Sequence, residues 1–390
     1  MKYDYAILGG GAAGLSLALE MVAGPLADHS ILIVEKDAKK TNDRTWCYWS
    51  DVPTRFDGIA RHAWPRLHFQ SGQLDLSWEL APLRYQMLRG LDFYEYARAE
   101  LARHPVTFVQ AVADVHDEPE GVTVLAGDRQ YTAQWAFDSR IRPEDSLPVP
   151  SRYNFLKQHF TGWEIEISRP VFDPDTVTMF DLRTSQRGGV TFFYLLPFSP
   201  TNALLEYTLF SPEVLPPEEY EAALRGYLSS TLGLEEYRLL EREHGVIPMT
   251  DRPFPRRLGR HILAIGTRGG RVKPSTGYAF ARIQRDSRRI VASLLQTGQP
   301  FAIPPDPPRY RFYDSLVLDV FANEPQLGRP ILASIFARNP AGRVLRFLDD
   351  RSTLQEDLQI LRAPEAGPFL RALGRKLNQK TRENGSRKKT

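Results

Sequence analysis

Apolar positions along this chain keep two rhythms, and the change between them marks its parts. Residues 5–8, Tyr-Ala-Ile-Leu, are an unbroken apolar run, the pattern of a strand buried on both faces. The run passes into Gly9-Gly10-Gly11-Ala12-Ala13-Gly14 and then into a helical pattern over 15–22. A second apolar run, 31–34, ends in Glu35. Strand, glycine turn, helix and strand together predict a Rossmann-like βαβ unit. Beyond it, Asp92 is expected to cap a helix over 93–103, and 106–115, 121–126 and 130–137 to form a small sheet. From about 148 to 243 the chain turns β-rich and aromatic: 163–167, 192–196 and 203–210 read as strands, interrupted by a helix over 217–231. A strand at 261–265, a glycine-bearing loop at 266–277 and a helix over 278–295 follow. After the proline-rich stretch 300–308, helices are expected at 309–321, 332–337 and 343–348.

One residue breaks the apolar pattern of 203–210. Strand alternation puts Leu204, Glu206, Thr208 and Phe210 on one face, and Leu205, Tyr207 and Leu209 on the other. A carboxyl among such neighbours loses hydration, so the pKa of Glu206 is expected to rise and the group to remain a protonated acid near neutral pH.

Composition adjusts this picture in a few places. With 390 residues the chain exceeds one typical domain, and 42% hydrophobic with 25% charged residues suits a folded protein with a large core. A net charge of +3 gives no basis for a nucleic-acid partner. The end of the chain differs: Arg371, Arg375, Lys376, Lys380, Arg382, Arg387, Lys388 and Lys389 face only Glu383. This run is expected to be a disordered, solubilising tail, or else a patch drawn to anionic lipid. The single cysteine, Cys47, excludes an internal disulfide and fits a reducing compartment. No apolar run reaches the ~18–20 residues of a spanning helix, and the first strand starts too early to leave room for a signal peptide. A cytoplasmic protein, peripherally associated with the inner membrane, is the expectation.

Gly9-x-Gly11-x-x-Gly14 carries the cofactor argument. The first glycine permits the turn, the second lets backbone approach a pyrophosphate, and the third lets helix pack on strand. Ala12 and Ala13 begin the helix whose free N–H groups face the phosphates, and Glu35 is placed for ribose hydroxyls. Two features favour FAD over NAD. Arg44 follows Glu35 closely, and a second backbone-exposing loop comes late, with Gly266, Gly269, Gly270, Thr276 and Gly277 leading into a helix. No histidine or cysteine spacing suggests a metal site.

Several segments together resemble the lycopene cyclase family of flavoproteins. They are Asn42-Asp43-Arg44-Thr45-Trp46-Cys47-Tyr48-Trp49, Gln158-His159-Phe160-Thr161-Gly162-Trp163, Met179-Phe180-Asp181-Leu182-Arg183, Phe193-Tyr194-Leu195-Leu196-Pro197-Phe198, Gly245-Val246-Ile247-Pro248-Met249 and the loop 265–277. The resemblance runs to about residue 370. The family's Phe-Leu-Glu-Glu-Thr motif stands here as Leu204-Leu205-Glu206-Tyr207-Thr208, keeping the first glutamate but not the second. Arg268 replaces a residue that is commonly small.

The resemblance implies an α/β fold: a Rossmann-like FAD-binding domain of the hydroxylase-type flavoprotein class, an inserted antiparallel β substrate domain and a C-terminal helical segment. The expected division is 1–147 and 245–299 for the cofactor domain, 148–244 for the substrate domain, 300–370 for the helices and 371–390 for the tail. It also implies a redox-neutral ring closure on lycopene, an apolar carotenoid. A proton adds to C2, the cation at C1 is attacked by the neighbouring double bond, and proton loss from C6 leaves the β-ring. Glu206 is the implied catalytic acid, and reduced FAD, with NAD(P)H as reductant, the implied charge partner. Trp46, Trp163, Phe193, Tyr194 and Tyr207 are candidates to face the cation. Asp181 with Arg183 reads as a structural ion pair or a secondary influence on Glu206, and His159 and His244 as core histidines. Competing readings are a flavin monooxygenase acting on an apolar isoprenoid and a non-catalytic carotenoid-binding flavoprotein. Oligomeric state is left open.

Overall fold

A computed structural model gives the fold and describes residues 1–141, 152–186 and 188–387. Strand β1 (Lys2–Leu8), helix α1 (Ala12–Val22) and β2 (Ile31–Glu35) form the expected βαβ unit, with β1 and β2 parallel. The unbroken apolar run has a direct cause. Tyr5 and Ile7 of β1 enter one core with α1, while Ala6 and Leu8 enter a second core on the opposite face.

The chain continues through β3 (Thr45–Ser50), β4 (His62–Trp64), β5 (Arg66–Ser71), β6 (Leu74–Glu79) and β7 (Arg84–Arg89) to α2 (Gly90–Leu101). Asp92 is not its cap. The helix begins at Gly90, whose N–H is taken by the Arg44 carbonyl at 2.6 Å and the Asn42 side chain at 2.9 Å, and Asp92 instead binds Arg89. The 42–45 segment therefore holds the helix start. The run 106–115 is not one strand. β8 (Val106–Gln110) pairs with β2 at one edge of the sheet, and β9 (Ala113–Glu118) pairs with β10 (Gly121–Ala126) at the other. Apolar alternation continues across the break, so periodicity alone does not reveal it. β11 (Arg129–Asp138) lies between β10 and β1.

A second seven-stranded sheet combines β12 (Phe155–Glu166), β13 (Thr176–Asp181), β14 (Val190–Ser199), β15 (Asn202–Ser211) and β16 (Arg238–Thr250) with β5 and β6. Its order is β16-β12-β15-β14-β13-β5-β6, antiparallel except between β13 and β5. The sheet thus draws strands from the stretch assigned to the cofactor domain, and β16 runs through the expected 244/245 division. The 147/148 division lies outside the described residues. Helix α3 (Pro217–Ser230) covers one face. A small sheet of β3, β7 and β4 and the C-terminal helices pack toward the other.

β17 (Ile262–Ala264) returns to the first sheet beside β11, and the loop after it leads into α4 (Phe280–Thr297), packed against α1. Then come α5 (Pro308–Asn323), α6 (Gly328–Arg338), α7 (Ala341–Leu348), α8 (Leu354–Leu361) and α9 (Ala366–Arg387). Helix α9 corrects the expectation of a disordered tail over its described length. Arg371 and Arg375 bind Glu324, Arg375 also Asp319, and Lys376 binds Asp251 at 2.7 Å. These three charges are paired within the protein.

Candidate active site

The glycine loop has the shape its sequence requires. Gly9 sits at φ +106°, and a Cβ on Gly14 would lie 2.0 Å from the Gly9 carbonyl oxygen, so both positions demand glycine. Gly11 precedes α1 without a side-chain cap, and a Cβ there would meet nothing within 4 Å. Open space therefore lies before the uncapped N–H groups of Ala12, Ala13 and their neighbours, where a helix N-terminus attracts phosphate. Glu35 accepts the Gly10 N–H at 2.7 Å and the Asp37 N–H at 2.9 Å. The late loop docks on the same spot: Gly266, at φ +60°, would place a Cβ 2.7 Å from Ala13 Cβ.

From there the late loop leads to a cavity of about 350 Å³, walled by that loop, by β3 and β7 of the small sheet and by β12, β14, β15 and β16 of the second large sheet. Arg44, Thr276, Gly277 and Glu206 all line it. Gly277 has φ +75°, and a Cβ on it would fall 2.2 Å from Gln158 Oε1. Gln158 Oε1 and Thr276 Oγ1 are buried on this wall without hydrogen-bond partners, polar atoms suited to meeting a ligand's ring edge. Gly269 and Gly270 play another part. Their N–H groups go to the carbonyls of Ile265, Gly266 and Thr267, so they shape the turn rather than offer donors.

Glu206 points into the cavity from β15, with Leu204 and Phe210 on the same face and Leu205, Tyr207 and Leu209 packed under α3, as alternation predicts. Its surface is part-accessible only because it faces the cavity, and protein surrounds it otherwise. Burial, and then the neighbouring Glu243 carboxyl, push its pKa well above the ordinary carboxyl value. Among the described residues it has no ion-pair partner. Tyr194, directly opposite on β14, lies 3.2 Å hydroxyl to hydroxyl from Tyr278, which lies 3.5 Å from the Tyr85 hydroxyl. Burial raises all three phenols, and it raises the Cys47 thiol beside Glu206 as well. All four groups therefore stay neutral at physiological pH.

Of the aromatic candidates, Trp46 and Tyr194 reach the cavity. Trp163, Phe193 and Tyr207 do not: they belong to the core beneath α3. Asp181 and Arg183 form a structural pair on that side. His159 is buried there too, held by Tyr220 and Ser211, and burial lowers its pKa to about 4. His244 lies on the cavity rim. Sequence reasoning missed Glu243, Gly162 and the Tyr85–Tyr278 pair. Gly162 offered the one signal, a glycine in mid-strand, which marks close approach of something beside it.

Solved structures share this architecture at low sequence identity. A flavoprotein/dehydrogenase from Cytophaga hutchinsonii superposes with TM-score 0.65 at 15% identity, covering 93% of this chain and 96% of that one. The flavin-dependent brominase Bmp2 does so with TM-score 0.60 at 15% identity, covering 90% and 94%. Among curated proteins, neoxanthin synthase from Solanum tuberosum is 30% identical over 179 residues, 43% of this chain and 35% of its own length. Lycopene beta cyclase from Capsicum annuum is 23% identical over 75% of this chain, a match spanning 60% of that protein. Lycopene beta-cyclase from a Paracoccus species is 27% identical over 93% of this chain and 94% of its own. The model of the family described as lycopene cyclase protein matches residues 4–373, and the chain therefore belongs to that family.

Proposed function

We propose that this protein is a lycopene β-cyclase, closing the linear ends of lycopene into β-rings without net redox change. The observation that carries the reading is Glu206: a carboxyl whose pKa burial pushes well above the ordinary value, on the wall of an aromatic cavity that the late loop joins to the dinucleotide loop. Protonating an alkene needs such an acid, and the resulting cation survives only where water is excluded. Glu206 gives its proton to C2 of the terminal double bond, leaving the tertiary cation at C1. The faces of Trp46 and Tyr194 attract that cation, each by on the order of 0.5–2 kcal/mol. Neutral phenols and thiol line the site without offering a competing base.

The residues present fit FAD, with Gly9–Gly14 and Glu35 at its dinucleotide end and Arg44, Thr276 and Gly277 toward its ring. Bound and reduced by NAD(P)H, the flavin supplies an electron-rich face that stabilises positive charge nearby. An apolar carotenoid is delivered from lipid, so we place the protein in the cytoplasm at the inner membrane. Among the described residues no helix is long and apolar enough to cross one. Expression in a lycopene-accumulating bacterium tests the reading. Orange β-carotene is the expected product, and cells that stay red contradict it. NAD(P)H consumed in step with an oxygenated product would instead indicate a monooxygenase.

A further inference from the structure

Strand β12 lies between β15 and β16, and at one point its side chain is missing. Gly162 pairs with Glu206 on one side and Glu243 on the other. A Cβ there would sit 3.0 Å from Glu206 Cγ, 2.8 Å from Glu243 Cγ and 2.9 Å from Glu243 Oε1. The two carboxyls therefore lean toward each other over the gap, and both line the cavity. Glu243 Oε2 accepts the Thr45 hydroxyl at 2.5 Å, while Oε1 is buried without a well-formed hydrogen bond and turned to the Glu206 side.

Most of the charged or titratable groups around this pair are committed or neutral. From β3, β7 and β14 come Cys47, Tyr85 and Tyr194, and Tyr278 comes from the late loop. Further along β12 and β16, Glu164 is held by Arg61 and Glu241 by Asn42, while Arg89 is bound to Asp92. Arg44, Arg242 and His244 lie on the cavity wall, with Arg242 engaged by Glu221. Two like charges this close, with Glu206 buried, repel each other and disfavour the doubly ionised state.

Resting on the cyclase reading, we propose that Glu243 is the base of the reaction and that Glu206 and Glu243 share a single proton that is recycled across Gly162. Glu206 gives up its proton as the C2–H bond forms. The C5=C6 electron pair makes the C1–C6 bond, leaving the cation at C5. Ionised Glu243 takes the C6 proton, and that C–H pair restores C5=C6. One proton has entered the substrate and one has left it, so the pair ends with the count it began with. Passage of the proton from Glu243 back to Glu206 resets the site without bulk water.

The test is the pH dependence of turnover in the flavin-loaded protein. The wild-type profile should be bell-shaped, falling at low pH when both carboxyls are protonated and at high pH when neither is. Glu243→Gln should lose roughly 10²–10⁴-fold in rate. It should also lose the low-pH limb and form rings with the double bond displaced from C5=C6. Glu243→Asp should retain the bell at reduced rate. A wild-type profile with one limb, or a Glu243→Gln enzyme with near-normal rate and both limbs, overturns the proposal. Should Glu243→Gln fail to hold flavin, the wild-type and Glu243→Asp profiles decide in the same way. An active Glu206→Gln enzyme would sink the cyclase acid itself. An inactive one beside an unimpaired Glu243→Gln sinks only the pair.

Discussion

On the face of the large sheet that α3 covers, Asp181 is fully buried and fully answered. Arg183 donates to both of its oxygens at 2.9 and 2.7 Å, and the Tyr227 hydroxyl adds a third bond at 2.6 Å. On the opposite face Glu206 meets another carboxyl across a glycine, and among the described residues it has no ion-pair partner. Burial is common to both groups, and partners separate them. A carboxylate given donors becomes part of the framework, whereas one denied them keeps its proton and can pass it on.

Three variants probe this contrast. Arg183→Ala leaves Asp181 buried and short of donors, and should cost about 2–3 kcal/mol. That is below the ~3–5 kcal/mol of breaking a fully buried pair, since the guanidinium is partly exposed. Chemical unfolding should show the loss, with turnover per folded molecule unchanged. A variant as stable as wild type would mean that Asp181 was never dependent on its pair.

Gly162→Ala should cost about 1–3 kcal/mol by overpacking, because the new methyl meets two side chains at 3.0 Å or less. Here turnover should fall as well, since the carboxyls are pushed apart. Unchanged activity would show that their approach is incidental.

The smallest effect is in stability against pH. The raised pKa of Glu206 means that the native protein keeps a proton which the unfolded chain releases above the ordinary value of 4.5. Its contribution is therefore full below that value and declines as pH rises toward the folded pKa. Glu206→Gln lacks this decline, so its Tm relative to wild type should improve with rising pH. A difference constant across pH would contradict a protonated Glu206.

Much of the site was legible because it depends on local pattern. Gly9, Gly11, Gly14 and Glu35 announce a βαβ turn, and alternation through 203–210 gave Glu206 its face. Glu243 was hidden for a physical reason. It stands in Arg-Glu-His at 242–244, polar on all sides, which reads as solvated strand. Only pairing with β12, far away in sequence, turns it toward the cavity. Trp163, Phe193 and Tyr207 misled in the opposite way, since aromatic content says nothing about which face of a sheet a ring occupies. The basic run from Arg371 looked unstructured because its partners, Glu324, Asp319 and Asp251, lie in distant elements.

The most direct test is the turnover of lycopene by flavin-loaded Glu206→Gln protein, compared with wild type under the same reducing, anaerobic conditions. Glutamine preserves the shape of the side chain and removes its acid. Flavin content should match wild type while cyclisation falls by roughly 10²–10⁴-fold. A variant that binds flavin normally and still forms β-rings at near wild-type rate would contradict Glu206 as the proton donor.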